Sequence, residues 1–268
     1  MKEAIWNISD AQEPLIATAI HDGHDVREEV KDLLHLSDDD RLREQDPYTG
    51  DLARTAKNHI IPKKSRFEVD LNRPREKAVY DVAEDAWGLK VWKQRPHSEL
   101  IERSLNQYDD FYTELHRVYD DMCRRFGAFV VFDIHSYNHR RGGPDAEPEH
   151  ADGHPEVNVG TGTMDRGRWS GVVDRFIRDL SSYKSGGRSL DVRENVKFFG
   201  GNHPKWSHQT FPDSACVIAI EFKKFFMDEW TGEVYSSEFN FISEALQSTF
   251  DGVNAEIRAI SRKTTAGR

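Results

Sequence analysis

Short apolar segments alternate with longer amphipathic ones along this chain, and this alternation limits the fold more than any other feature. Residues 14–20, 128–134 and 215–222 are apolar runs of strand length, and a further strand is predicted at 66–71. Runs that are apolar at nearly every position indicate strands with both faces covered, as in parallel sheets. We therefore predict an α/β fold, with a mixed, mostly parallel central sheet between helices.

The amphipathic segments have the periodicity of helices. Residues 25–36, 98–126, 169–180 and 239–260 each place apolar side chains on one helical face. Ser98 is a candidate N-cap for the longest of these helices, and Gly127 is a candidate for its end. We expect residues 1–268 to form a single domain, in which the polar tail 261–268 is frayed.

The composition excludes several classes of protein. Lysine and arginine total 37 against 47 aspartates and glutamates, which gives a formal net charge of −10 and no basic face for nucleic acid. No segment approaches the roughly 18 apolar residues of a membrane span. Cys123 and Cys216 form no disulfide framework or metal-binding spacing. We expect a cytoplasmic protein with reduced thiols and no nucleic-acid or membrane partner, while the oligomeric state stays open.

Three apolar runs end in residues that are able to do chemistry. His21 follows the first run, His135 follows the second, and Glu221 lies late in the third. Because the carboxyl ends of parallel strands meet at one edge of an open sheet, these side chains should converge. Two imidazoles and a carboxylate are the protein ligands of zinc sites that keep a position open for water. Asp133 would share a face with His135 and could accept its second ring N–H.

Other features are open to two interpretations. Taken singly, each histidine could be a surface residue and Glu221 a structural acid. Arg73 precedes a proline and so lies in extended backbone, where its guanidinium could bind a carboxylate or form a structural ion pair. The polar segment 136–156 has no strand or helix signal, and such long loops are usually functional or disordered. Gly200 and Gly201 indicate close backbone approach.

Several short segments together resemble the N-formylglutamate amidohydrolase family. The resemblance covers residues 14–232, and that family is similar in fold to zinc carboxypeptidases, with a mixed eight-stranded sheet between helices (the phosphorylase/hydrolase-like architecture). The matching segments are Ile20-His21-Asp22-Gly23, Glu44-Gln45-Asp46-Pro47, Val69-Asp70-Leu71-Asn72-Arg73-Pro74, Asp133-Ile134-His135-Ser136, Phe199-Gly200-Gly201, Ile218-Ala219-Ile220-Glu221-Phe222 and Phe226-Met227-Asp228-Glu229.

The resemblance implies a Zn²⁺ site and assigns its ligands. His21 and His135 match two of them, and Asp46 is our choice for the third, with Glu44 and His24 as rivals. Glu221 matches the glutamate that acts as general base and then general acid.

The resemblance also implies how the substrate is held. Arg73, together with Asn72, matches the position that grips a substrate carboxylate or the developing oxyanion, and Arg140 and Arg141 are further candidates for that role.

The activity implied is hydrolysis of a small N-acyl amino acid, with N-formyl-L-glutamate as the leading candidate and a place in histidine catabolism. The main alternative substrate is another N-acyl amino acid or a small peptide. Two alternatives to catalysis are a non-catalytic ligand-binding protein and a closed structural zinc site. The chain departs from the family pattern at Ile20-His21-Asp22-Gly23, in the polar loop 137–156 and at Asn202-His203-Pro204-Lys205-Trp206. These departures lie where substrate would be recognised.

Overall fold

A seven-stranded sheet forms the centre of the computed structural model, which describes residues 6–9 and 13–266, with side chains up to residue 262. The spatial order is β1-β3-β2-β4-β7-β5-β6, and four of the six neighbouring pairs are parallel. The predicted mixed, mostly parallel sheet is thus confirmed. The strands are β1 (Trp6–Ser9), β2 (Leu15–Thr18), β3 (Asn58–Pro62), β4 (Phe129–Tyr137), β5 (Val157–Gly160), β6 (Val192–Glu194) and β7 (Ala215–Lys223).

Helices cover both faces of this sheet. The long helix α4 packs on one face, and α3, α5, α7 and α8 contribute to the apolar cluster on the other. Within the described ranges, no helix is long and apolar enough to cross a membrane. The helices are α1 (Glu28–Lys31), α2 (Asp38–Glu44), α3 (Thr49–Ala53), α4 (Ser98–Phe126), α5 (Ser170–Ser182), α6 (Asn202–Thr210), α7 (Ser236–Ser248) and α8 (Phe250–Ala266).

Strand β4 shows how the sheet separates its core from its functional edge. Its nine residues are all buried. Val130 and Phe132 belong to the apolar cluster beneath α5 and α8, whereas Phe129 and Val131 belong to the cluster beneath α4. Because side chains alternate along a strand, the α4 face receives Asp133 and His135 next. The same face is therefore apolar at one end of the strand and polar at the other.

The prediction of a strand at residues 66–71 is wrong. That segment is a turn, in which the amides of Glu68 and Val69 both donate to the Ser65 carbonyl. Its alternating apolar side chains pack into the interior without joining the sheet. The strand that follows β2 is instead β3, Asn58–Pro62, which carries a histidine and a proline and lacks a strong apolar pattern.

Two predicted helices are shorter than their periodicity indicated. Only Glu28–Lys31 is helical within 25–36, because the chain then pairs with residues near Trp92, where the His35 amide donates to the Val91 carbonyl. The predicted helix 239–260 is two helices that meet at Thr249. The second of them continues to Ala266, into the tail expected to be frayed, and residues 267–268 lie outside the described residues.

Candidate metal centre and active site

The site lies where three neighbouring parallel strands end. β2 leads into His21, and β4 and β7 pair in register so that His135 lies opposite Glu221. β2 and β4 pair with Thr18 opposite Asp133. The expected convergence of chemically able residues at one sheet edge is therefore present, and backbone hydrogen bonds between strands fix it.

Two histidines and an aspartate form the centre of the site. His135 Nδ1 lies 3.0 Å from Asp46 Oδ2, and His21 Nδ1 lies 3.4 Å from the same oxygen. One ligand atom from each residue can be chosen so that all lie within 4.8 Å of one another, and all three residues are buried. Asp46 follows α2, and its amide donates to the His21 carbonyl. The three residues that the resemblance implies as metal ligands therefore lie together.

Each imidazole is held on its far side by a second carboxylate. His21 Nε2 lies 2.7 Å from Asp70 Oδ1, and His135 Nε2 lies 3.1 Å from Asp133 Oδ2. This is the arrangement of metal-binding histidines, in which one ring nitrogen faces the metal and an outer carboxylate orients the other. The sequence alternation predicted the contact of Asp133 with His135. The role of Asp70 was missed, because nothing in the sequence places residue 70 beside residue 21.

The charge balance of the cluster favours a cation. Burial alone would raise the pKa of Asp46, but hydrogen bonds from His135 and His21 hold that pKa well below its ordinary range. Burial alone would lower the pKa of His135, whereas the Asp133 carboxylate raises it well above the ordinary value. Two imidazole nitrogens and one carboxylate oxygen facing one point, with anionic groups behind them, fit a divalent zinc ion.

Neither rival for the third ligand belongs to this cluster. The Glu44 carboxylate accepts hydrogen bonds from Arg43 Nη1 at 2.6 Å and from Asn138 Nδ2 at 3.1 Å. It is therefore already occupied by other donors. His24 is exposed, its Nδ1 lies 2.8 Å from Gln45 Oε1, and it lines a separate surface groove.

A cavity of about 340 Å³ opens above the cluster, and Glu221 lines it. Burial raises the pKa of Glu221 to about 7. A carboxyl group with a pKa near the working pH suits proton transfer in both directions, because it can both accept and return a proton. Glu221 therefore lies in the cavity at the position where the resemblance implies a general base and acid.

The cavity wall holds three of the four predicted substrate-binding residues. Asn72, Arg73 and Arg141 line it, but Arg140 does not. The Arg73 guanidinium donates to the Asp85 carbonyl at 3.1 Å, and Arg141 lies 3.4 Å from Glu44. Arg140 lies on another side of this turn: its amide donates to Glu229 at 3.0 Å, and its charge acts on Asp228.

Asn72 has a structural contact as well. Its side-chain Oδ1 accepts from the His203 amide at 3.0 Å, and its carbonyl accepts from the Asn202 amide at 3.2 Å. Asn72 thereby caps the first turn of α6, which attaches the wall of the cavity to that helix.

Two cations of the cavity wall were not expected from the sequence, and both have little exposed surface. Arg66 Nη2 donates to Asp70 at 2.8 Å, and its guanidinium stacks on Trp87. Burial alone would lower the pKa of Arg66, but the Asp70 charge raises it. Arg66 thus fixes the carboxylate that holds His21.

Lys224 is the second of these cations and is almost fully buried. Its ammonium donates to the carbonyls of Arg43 and Gln45, both at 2.7 Å, and to Asn138 Oδ1 at 2.9 Å. Burial lowers its pKa to about 8. Lys224 follows Glu221 by three residues, and it joins the end of β7 to the segments that carry Asp46 and His135.

The fold and the site together define the class: a protein of α/β architecture with a histidine–carboxylate centre at the carboxyl edge of its sheet. The sequence model of N-formylglutamate amidohydrolase matches residues 13–226, which is most of the chain. The chain belongs to the N-formylglutamate amidohydrolase family, and the resemblance found in the sequence is confirmed.

Two solved structures share the fold. An N-formylglutamate amidohydrolase from Ralstonia eutropha superposes with a TM-score of 0.67 at 15% identity, covering 98% of this chain and 99% of that one. A gene product of Agrobacterium tumefaciens superposes with a TM-score of 0.62 at 16% identity, covering 92% and 94%. No curated protein matches the chain.

Proposed function

We propose that the protein hydrolyses N-formyl-L-glutamate to glutamate and formate with one zinc ion held by His21, Asp46 and His135. The observation that carries this proposal is the convergence of both histidine Nδ1 atoms on Asp46 Oδ2, beside Glu221. The family supplies the reaction, and the product pair fits the place in histidine catabolism that the resemblance implies. A cytoplasmic location also stays a proposal.

Zinc, when bound, would lower the pKa of a coordinated water towards about 7 and act as a Lewis acid on the formyl carbonyl. Glu221 takes the proton from the attacking water and later returns it to the leaving amine. Its pKa of about 7 allows both steps near neutral pH. Asp70 and Asp133 keep the two imidazoles oriented throughout.

Arg73 and Arg141 supply positive charge to the cavity wall. A guanidinium pairs with a carboxylate through two parallel N–H donors, and N-formylglutamate offers two carboxylates. We assign Arg73 and Arg141 to those groups, with Asn72 beside them. Because the Arg73 side chain is 38% exposed and holds only part of its donors in internal contacts, it is free to reorient toward a ligand.

The decisive experiment combines metal analysis with one isosteric variant. Purified wild-type protein should hold about one zinc per chain, lose activity on N-formylglutamate after chelation and regain it with added zinc. Glu221→Gln should keep the zinc and lose about 10²–10⁴-fold in kcat, the contribution of general acid–base catalysis. His135→Ala, as the control, should lose the metal.

A kcat of Glu221→Gln equal to that of the wild type would contradict the role of Glu221 as the general base. Activity that persists in a metal-free protein would contradict the proposed zinc dependence. Zinc and ligand binding without turnover would indicate the binding-protein alternative instead.

A second candidate substrate is an N-acyl amino acid with an apolar group. Two exposed aromatic side chains, Trp87 and Phe199, line the cavity at 46% and 57% exposure, and such exposed aromatics mark contact surfaces. Comparing kcat/KM for N-formylglutamate with that for N-formyl-phenylalanine and N-acetylglutamate distinguishes the candidates. Higher kcat/KM for either competitor would move the assignment to that substrate.

A further inference from the structure

A further buried histidine lies behind the site, in the segment that departs from the family pattern. His203 is the second residue of α6 and has no exposed surface. Its Nδ1 lies 2.9 Å from Asp133 Oδ1, and its Nε2 lies 2.9 Å from the hydroxyl of Tyr119 on α4. His203 does not line the cavity, so the proposed reaction gives it no direct role.

Asp133 is therefore held from both sides. Its Oδ1 accepts from Thr18 Oγ1 at 2.8 Å and faces His203, while its Oδ2 faces His135 Nε2 at 3.1 Å. Both carboxylate oxygens lie in an interior without exposed surface. A carboxylate in such surroundings takes the orientation its donors impose, because an unpaired oxygen there is costly.

The hydrogen-bond network assigns the protons of this chain of contacts. Burial raises the pKa of Tyr119 well above its ordinary value, so the phenol keeps its proton and can donate it to His203 Nε2. That leaves His203 Nδ1 for Asp133: it lies 2.9 Å from Oδ1, within ion-pair distance, without forming a well-aligned hydrogen bond. Asp133 Oδ2 can then accept the Nε2–H of His135, which leaves Nδ1, the ring nitrogen on the Asp46 side, as the atom that would bind a metal.

We propose that His203 is a positioning residue that, supported by Tyr119, fixes Asp133 so that His135 presents Nδ1 to the metal. The inference rests on the proposed zinc function, because it assigns His203 a role in metal affinity. His203 touches neither metal nor substrate, and it acts only through Asp133. A packing role alone would change stability but leave the affinity for zinc unaltered.

The test measures the zinc dissociation constant by competition with a chromogenic chelator. His203→Leu removes both ring nitrogens and should weaken zinc binding about tenfold, the lower end of the 10–100-fold loss seen when outer partners of metal ligands are removed. His203→Asn keeps a donor near the position of Nδ1 and should recover most of the affinity. His203→Gln places its amide nearer Tyr119 than Asp133 and should recover little.

His208 provides the matched control on the same helix. It is also a buried histidine, but its Nε2 accepts from the Val217 amide and its Nδ1 contacts Thr163, away from the metal cluster. His208→Leu should reduce thermal stability and leave the zinc dissociation constant within about twofold of the wild-type value.

The outcomes separate this inference from the proposed function. Equal zinc affinities for His203→Leu and His208→Leu, with tight binding by the wild type, would overturn the positioning role alone. If His203→Leu does not fold, the comparison of His203→Asn with His203→Gln tests the positioning role instead. Equal zinc affinities of these two variants would also overturn that role. A wild-type protein that binds no zinc would overturn the proposed function and this inference with it.

Discussion

A methyl group added at Gly201 would collide with the Asn72 side chain, so Gly201→Ala tests how the cavity wall is built. The added Cβ would lie 2.3 Å from Asn72 Oδ1 and 2.4 Å from Nδ2, whereas real Cβ contacts essentially never fall under 3.0 Å. The φ of Gly201 is −96°, which any residue adopts, so the backbone itself tolerates alanine. The effect of the substitution is therefore a steric one on Asn72.

The magnitude follows from two contributions. Asn72 must move by about 1 Å to reach ordinary contact distance, and overpacking of this kind typically costs about 1–3 kcal/mol. Such a movement also breaks the 3.0 Å hydrogen bond from the His203 amide to Asn72, which caps α6 and is worth about 1 kcal/mol. We expect the free energy of unfolding to fall by about 2–4 kcal/mol.

Urea unfolding followed by circular dichroism measures this loss, and Gly153→Ala is the control. A Cβ at Gly153 meets no atom within 4 Å, so its variant should stay within about 0.5 kcal/mol of wild type. Because Asn72 and Arg73 line the cavity, Gly201→Ala should also raise KM. Equal stability of the two variants would refute the argument that Asn72 anchors α6 to the cavity wall.

Two further predictions concern substrate binding and pH. Arg141→Met should raise KM for N-formylglutamate about tenfold or more, with a smaller effect on kcat. Arg140 does not line the cavity, so Arg140→Met should leave the steady-state kinetics unchanged. Equal effects of the two substitutions would contradict the assignment of Arg141 to the substrate. Burial lowers the pKa of His208 to about 4, so the unfolded chain binds its proton first as the pH falls. His208 should therefore contribute roughly 3 kcal/mol to the free energy of unfolding above pH 6.5, and this contribution is lost as the pH falls from 6.5 to 4. In chemical denaturation, the free energy of unfolding of His208→Gln should fall less over that pH range than that of the wild type.

The central strands and the positions of His21 and His135 could be predicted from the sequence because their signals are local. An apolar run such as 128–134 indicates a covered strand wherever it occurs, and a histidine at its end must lie at the sheet edge. Asp133 was placed behind His135 by the period of two along one strand. Asp46 required the family resemblance, because no local pattern connects it to His21.

The missed features depend on tertiary contacts. β3 contains His59 and Pro62, and it becomes a strand because β1 and β2 pair with both of its edges. Residues 66–71 alternate like a strand, yet their chain turns at Ser65 to bring Asp70 under His21. Lys224 looks in the sequence like any exposed lysine, and its burial depends on carbonyl groups about 180 residues away.

The residue-for-residue pairing of β4 with β7 limits where this chain can accept insertions and deletions. Nine consecutive pairs, from Phe129 opposite Ala215 to Tyr137 opposite Lys223, set the spacing between His135 and Glu221. A slip of one residue would turn Glu221 to the other face of the sheet, so an insertion or deletion within either strand would remove the reaction outright. The residues that we assign to the substrate, Asn72, Arg73 and Arg141, lie in loops outside this ladder. Changes in those loops could therefore alter which amide is cleaved, while the strand pairing keeps His135 opposite Glu221.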